Sequence, residues 1–167
     1  MTIAARNAWL VTAVTVLAIA LPGRSSAQTR VGVAAGLASY DLAGTGTSGV
    51  LAIRAGWYRP APLCIDVGTS FFWYETQGDE SVAMLLPETG LSLELRPLPF
   101  WIGAGAGYSI GVNGDPDNDL TLYGAAGLDF PFAGSWAVRP EVRIRSVDPW
   151  IGAIAEFTIG IARAIPR

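Results

Sequence analysis

The chain contains no histidine and no lysine; all eleven of its basic residues are arginine. The missing imidazole excludes Ser–His catalysis, which needs that ring as its general base. Carboxylates could supply acid and base instead, but the acids that matter here lie among arginines and read as their ionic partners, so no enzymatic activity and no cofactor are expected. Cysteine is almost absent. Cys64 stands alone, which excludes an internal disulfide, and it lies too far from the N-terminus to carry the lipid of a lipoprotein. It reads as a small buried filler, the sharper alternative being a free thiol for an intermolecular bond. Charged residues make up only 15% of the chain against 51% hydrophobic. With a net charge of −3, the basic patch that a nucleic-acid partner requires is missing. Long hydrophobic runs are missing too. Beyond Leu21 none approaches the ~18 residues of a spanning helix.

What is present begins with an export signal. Arg6 supplies a positive start, Ala8 to Leu21 is an apolar and threonine segment, Pro22-Gly23 breaks it, and Ser25-Ser26-Ala27 offers small residues at a cleavage position. Residues 1–27 are therefore expected to be a cleaved signal peptide, and 28–167 a single domain carrying nine arginines against fourteen acids.

That domain has a regular beat. Arg59-Pro60-Ala61-Pro62, Arg96-Pro97-Leu98-Pro99 and Ala133-Gly134-Ser135 mark tight connections, because proline fixes φ and glycine admits positive φ. Between them fall polar connections at 43–48, 77–80, 113–118 and 148–149. Seven connections of alternating kind predict eight strands, over 30–42, 49–58, 63–75, 82–96, 100–112, 119–132, 136–147 and 150–163. All reach the ~9–11 residues that cross a bilayer at a tilt. Pro87, Pro131 and Pro140 fall inside these strands, and each is expected at a rim or bulge.

The seventh strand shows the sorting most plainly. Trp136, Val138, Pro140, Val142 and Ile144 alternate with Arg139, Glu141, Arg143 and Arg145, a period of two that gives one oily and one ionic face. Leu91, Leu93 and Leu95 oppose Ser92, Glu94 and Arg96 in the fourth strand, and Phe157, Ile159 and Ile161 oppose Glu156 and Thr158 in the eighth. The oily faces are too many and too continuous to share one small core. They are expected to face lipid, with the ionic faces inward. The expected interior network is Arg54, Asp66, Glu94, Arg96, Asp129, Arg139, Glu141, Arg143, Arg145 and Glu156, five positive and five negative groups, whose burial is tolerable only when paired. Gly103, Gly105 and Gly107 leave room for the long arginines. Aromatics near the strand ends, Trp57, Tyr58, Phe100, Trp101, Phe130, Phe132 and Trp136 at one side and Phe71, Trp73, Tyr74 and Trp150 at the other, suggest two interfacial girdles.

Three alternatives compete. Asp115, Asp117 and Asp119 are candidate calcium ligands, oxygen donors at alternate positions, though the loop lacks a complete EF-hand pattern. The charged interior could line a narrow gated pore. An exported soluble barrel of lipocalin type would reverse the faces, and nothing else in the chain is available to cover the fourth and seventh strands' oily sides.

Ile102-Gly103-Ala104-Gly105-Ala106-Gly107-Tyr108, Tyr123 to Phe130, Val138-Arg139-Pro140-Glu141-Val142-Arg143 and the closing Glu156 to Arg163 together resemble the small outer-membrane β-barrels of Gram-negative-type bacteria, the OmpA/OmpX-like superfamily. The resemblance implies an eight-stranded antiparallel up-and-down transmembrane β-barrel of porin-like build in the bacterial outer membrane. It also implies assembly by periplasmic chaperones and the barrel-assembly machinery, and a structural or surface-interaction role. Outer-membrane lipid is the expected surrounding, and a monomer the expected state.

Overall fold

The computed structural model describes residues 28–40, 46–58, 62–75, 81–112, 119–147 and 153–165. They form eight antiparallel strands: β1 (Gln28–Tyr40), β2 (Gly46–Tyr58), β3 (Leu63–Glu75), β4 (Ser81–Glu94), β5 (Phe100–Tyr108, resuming at Ile110–Gly111), β6 (Leu120–Leu128, resuming at Phe130–Ala133), β7 (Trp136–Val147) and β8 (Ala153–Ile165). Each pairs with the next, and β8 pairs back onto β1 from Thr29↔Ile165 to Tyr40↔Ile154. The sheet is closed, so no strand edge stays open. Strand starts and ends fall close to those expected from the connections, with the expected 41–42 and 150–152 lying outside the described residues. The signal segment lies outside the described residues.

The register fixes the barrel's shape. Followed round the ring, Gln28 pairs with Tyr58, Tyr58 with Cys64, Cys64 with Ser92, Ser92 with Gly103, Gly103 with Ala125, Ala125 with Arg143, Arg143 with Glu156, and Glu156 with Ala38. One circuit returns to β1 ten residues beyond its start. Eight strands with this stagger tilt about 41° from the axis and run at a backbone radius of about 8 Å, given a ~3.3 Å rise and ~4.8 Å strand spacing. That bore is just wide enough for side chains to fill it.

The alternation sorts the two faces as expected. Val33, Leu37, Leu51, Ile53, Leu91, Val142, Ile144, Phe157, Ile159 and Ile161 are exposed on the outside, while Ser70, Glu88, Thr121, Arg143, Arg145, Glu156 and Thr158 are buried inside. Val67, on the outward parity, is nonetheless covered. Strand β1, whose glycines and alanines hide its pattern in the sequence, alternates too: Val31, Val33 and Leu37 point out and Gly32, Ala34 and Gly36 point in.

The prolines resolve into two kinds. Pro131 sits at the rim, where the ladder shifts register before the turn through Gly134, whose φ is +54°. Pro87 and Pro140 lie mid-strand instead, contrary to the expectation of a rim or bulge. Pro140 keeps its pairing to Ile159 on β8, and the gap its missing N–H creates falls towards β6, which breaks at Asp129. Pro87 keeps its pairing to Thr69 on β3, and β5 breaks at Ser109, one residue past the position facing Pro87. Each broken strand is held from its other side. Ser109 N donates to Asp119 O and Asp129 N to Pro99 O, both at 2.8 Å. A closed barrel thus absorbs a proline by losing one link of one ladder.

Candidate functional site: a layered barrel interior

The interior is built in three layers. Nearest the polar loops, Ala38, Val50, Phe72, Met84, Leu86 and Ile154 form a buried apolar cluster. Each lies within a few residues of a loop-side strand end and on the inward parity. Sequence reasoning misses this layer, because each strand contributes only one or two of its members.

Beneath it lies the ionic centre. Glu88 of β4 is its hub and is 2% exposed. Arg145 Nη1 donates to Glu88 Oε2 at 2.8 Å, Arg54 Nη1 stands 3.3 Å from Glu88 Oε1, and Arg143 pairs with the same oxygen. Arg143 also reaches Glu141 at 2.7 Å, and Arg145 pairs with Glu156. Arg54 completes the ring with Glu141 at 3.8 Å and Glu156 at 4.0 Å, and donates to Ser70 Oγ at 3.0 Å. Three guanidinium groups meet three carboxylates, so the layer is neutral. The guanidiniums also stack: Arg143 lies 4.1 Å over the Tyr123 ring and Arg145 5.7 Å from that of Phe72. Planar cations paired, hydrogen-bonded and stacked in this way meet the cost of burial better than an ammonium group would.

The third layer lies towards the tight turns. Arg30 of β1 pairs with Asp129 at 2.5 Å and Glu94 at 3.7 Å, and Arg139 pairs with Asp129 at 2.7 Å. Arg139 lies 4.7 Å over Trp101. Trp101 is therefore inside the barrel, 4% exposed, and not in the outer girdle expected from the sequence; residue parity on β5 turns it inward beside Gly103 and Gly105. Phe130, Phe132 and Trp136 do stand outside near this end, as Trp73 does near the other. Trp150 lies outside the described residues.

Of the ten residues expected to form one network, Arg54, Glu141, Arg143, Arg145 and Glu156 meet at the centre, and Glu94, Asp129 and Arg139 meet in the turn-side layer. Asp66 accepts from the Cys64 thiol, Sγ to Oδ1 at 3.4 Å, and the thiol is fully buried. Arg96 is a correction. It belongs to the turn after β4, its side chain is 73% exposed, and its partner is Glu94 at 2.9 Å; the strand ends before the alternation can carry it inward. Glu88 and Arg30 are members that the sequence reading lacks. Glu88 shares the parity of Ser92 and Glu94, a signal obscured by the adjacent Pro87, which argues against a continuous ladder there. Arg30 sits in the strand whose alternation is hardest to see. Asp115 and Asp117 lie outside the described residues, and Asp119 holds β6 against Ser109 through its backbone.

The glycines make room, though for a different occupant than the arginines expected. Gly90 and Gly105 face each other across β4 and β5, and the Tyr123 hydroxyl fills the space; a Cβ on Gly105 would stand 2.6 Å from it. Arginine does use Gly68, where a Cβ would meet Arg54 Cδ at 2.9 Å. Two cavities of about 20 Å³ flank Arg54, Arg139 and Glu141, each room for about one water molecule.

The closed eight-stranded sheet has solved counterparts. It superposes on Neisserial surface protein A with a TM-score of 0.61 at 14% identity, covering 84% of this chain and 98% of that one. The fold is that of the small bacterial outer-membrane β-barrels. The attachment invasion locus protein Ail of Yersinia pestis matches with a TM-score of 0.62 at 8% identity, over 84% of this chain and 99% of that one. A major outer membrane protein from Thermus thermophilus matches with 0.61 at 13% identity, over 84% and 100%. Identities this low make the likeness to these outer-membrane barrels one of fold. No protein-family model matches the sequence, and no curated protein matches it.

Proposed function

We propose that the chain spans a bacterial outer membrane, after export by residues 1–27, as a non-enzymatic barrel of structural or surface-interaction type with a filled interior. The observation that carries this reading is the inverted sorting of one closed sheet, exposed Val, Leu, Ile and Phe outside and paired, buried Arg and Glu inside. In water such an outer face would be a very large apolar surface; in lipid it is what a spanning barrel needs. A soluble lipocalin-type barrel requires the opposite sorting. The narrow-pore alternative is disfavoured by the apolar layer across the loop side and by the salt-bridged layer beneath it. With the bore filled, the segments that could meet a partner are the loop-side connections. The tight turns would face the periplasm, as short turns do in such barrels.

The test is heat-modifiability in isolated outer-membrane fractions. Unboiled protein is expected to migrate differently from boiled protein on a denaturing gel and to resist carbonate extraction. A carbonate-soluble protein whose mobility ignores boiling would sink the membrane reading.

A further inference from the structure

Along the outward parity of all eight strands, among the described side chains, one residue is charged. It is Arg163 of β8, which stands directly across the ladder from Trp136 of β7. Its guanidinium carbon lies 5.4 Å from the Trp136 ring centroid. Trp136 is itself 41% exposed, and Arg163 is exposed beside it. The pair sits at the turn side, next to the Ala133–Ser135 turn, whose Ser135 O accepts from Ala164 N at 2.8 Å. Behind it the outer surface becomes wholly apolar, through Ile161, Val33 and Ile159. No ion pair links Arg163 to an acid among the described residues, whereas the arginines inside the barrel are paired.

An arginine on the lipid face is costly at the bilayer midplane and well tolerated near the interface. There its head faces the phosphate plane and its stem lies against apolar surface. The guanidinium fork matches a phosphate with two parallel hydrogen bonds, and Trp136 fixes the fork's orientation from one side. The ionic interior cannot compete for this cation, since the sheet lies between them.

We propose that Arg163 and Trp136 form a binding site for the phosphate of a phospholipid in the turn-side leaflet, with the lipid's chains lying along Ile161, Val33 and Val138. The proposal rests on the membrane-spanning reading above. Charge complementarity identifies the occupant: a cation with no acidic partner among the described residues, bordering an apolar band, fits a molecule that is anionic at one end and apolar at the other.

The test is native mass spectrometry of the mature protein released from detergent, with dioleoylphosphatidylglycerol added as the probe and dioleoylglycerol, which lacks the phosphate, as its control. The wild type is expected to carry phosphatidylglycerol adducts in preference to dioleoylglycerol. Arg163→Gln is expected to reduce them about fivefold, the factor one basic residue contributes near an anionic lipid surface, and Arg163→Lys to retain part of the binding. Unchanged adducts in Arg163→Gln, or equal adducts from both lipids, would overturn the site. So would a dimer that Arg163→Gln abolishes, which would put a second copy on this patch. The gel mobility of each variant separates the two readings. Lost adducts with the heat-dependent shift intact support the lipid site, while a wild type with no shift removes the membrane reading and this proposal with it.

Discussion

Glu88→Gln would test the ionic centre at its most connected point. The substitution keeps size and shape and removes one charge, so a layer of three cations and three anions becomes one of three and two. Arg54, Arg143 and Arg145 all lose their shared carboxylate. Removing one partner of a buried ion pair typically costs about 3–5 kcal/mol, because the remaining charge is left buried without compensation. Glu141 and Glu156 still hold Arg143 and Arg145, which points to the lower end, about 3 kcal/mol. With a urea dependence of about 2 kcal/mol per molar, the unfolding midpoint should fall by about 1.5 M. The assay is a urea titration of protein folded into vesicles, read from the ratio of the folded and unfolded gel bands. Glu94→Gln is the internal comparison, since Glu94 pairs more loosely near the rim and should cost less than about 1 kcal/mol. The double variant Glu88→Gln/Arg143→Gln should cost less than the sum of its single changes, because the two residues share one ion pair. A midpoint for Glu88→Gln equal to that of Glu94→Gln would refute the claim that Glu88 is the hub.

Three further outcomes follow from packing. Gly105→Ala places a Cβ against the Tyr123 hydroxyl and the Thr89 carbonyl and should destabilise the barrel by about 1–3 kcal/mol. Gly124→Ala, where a Cβ meets nothing within 4 Å, should stay within about 0.5 kcal/mol of the wild type in the same titration. Cys64, sealed on the inner face of β3, should resist a membrane-permeant maleimide in the folded protein and react after unfolding in urea. Rapid labelling of the folded state would show that solvent enters the turn-side half of the bore.

Much of this fold is legible in the sequence because a closed sheet with an apolar outer face and a filled bore imposes a strict period of two. Where bulky and charged residues alternate, as from Trp136 to Arg145, the faces separate by inspection. Where glycine and alanine carry the inner face, as in β1, the period is present but the contrast is low, and Arg30 does not stand out. The composition of the interior is harder to read than its sidedness. Phe72, Leu86 and Ile154 are apolar and inward, so a rule that assigns every apolar residue to lipid misplaces them; they cover the charges from the loop side. Trp101 is a similar case, an aromatic near a strand end whose parity outweighs its type. The two mid-strand prolines show that parity and ladder continuity are separate constraints, since both side chains keep their face while one neighbouring strand loses a link.

Closure between β1 and β8 joins residues at the two ends of the domain, from Thr29↔Ile165 onward. Those contacts have very large sequence separation, so the step that seals the sheet is the one with the greatest loop-closure entropy. Until it happens, β1 and β8 are two unpaired edges of an oily sheet, each able to pair with another chain. The ionic centre cannot assemble early either, because Glu156 is carried on β8 and Glu88 on β4. Contacts of such long range slow folding, and the two oily edges stay open to pairing with other chains until the last strand arrives.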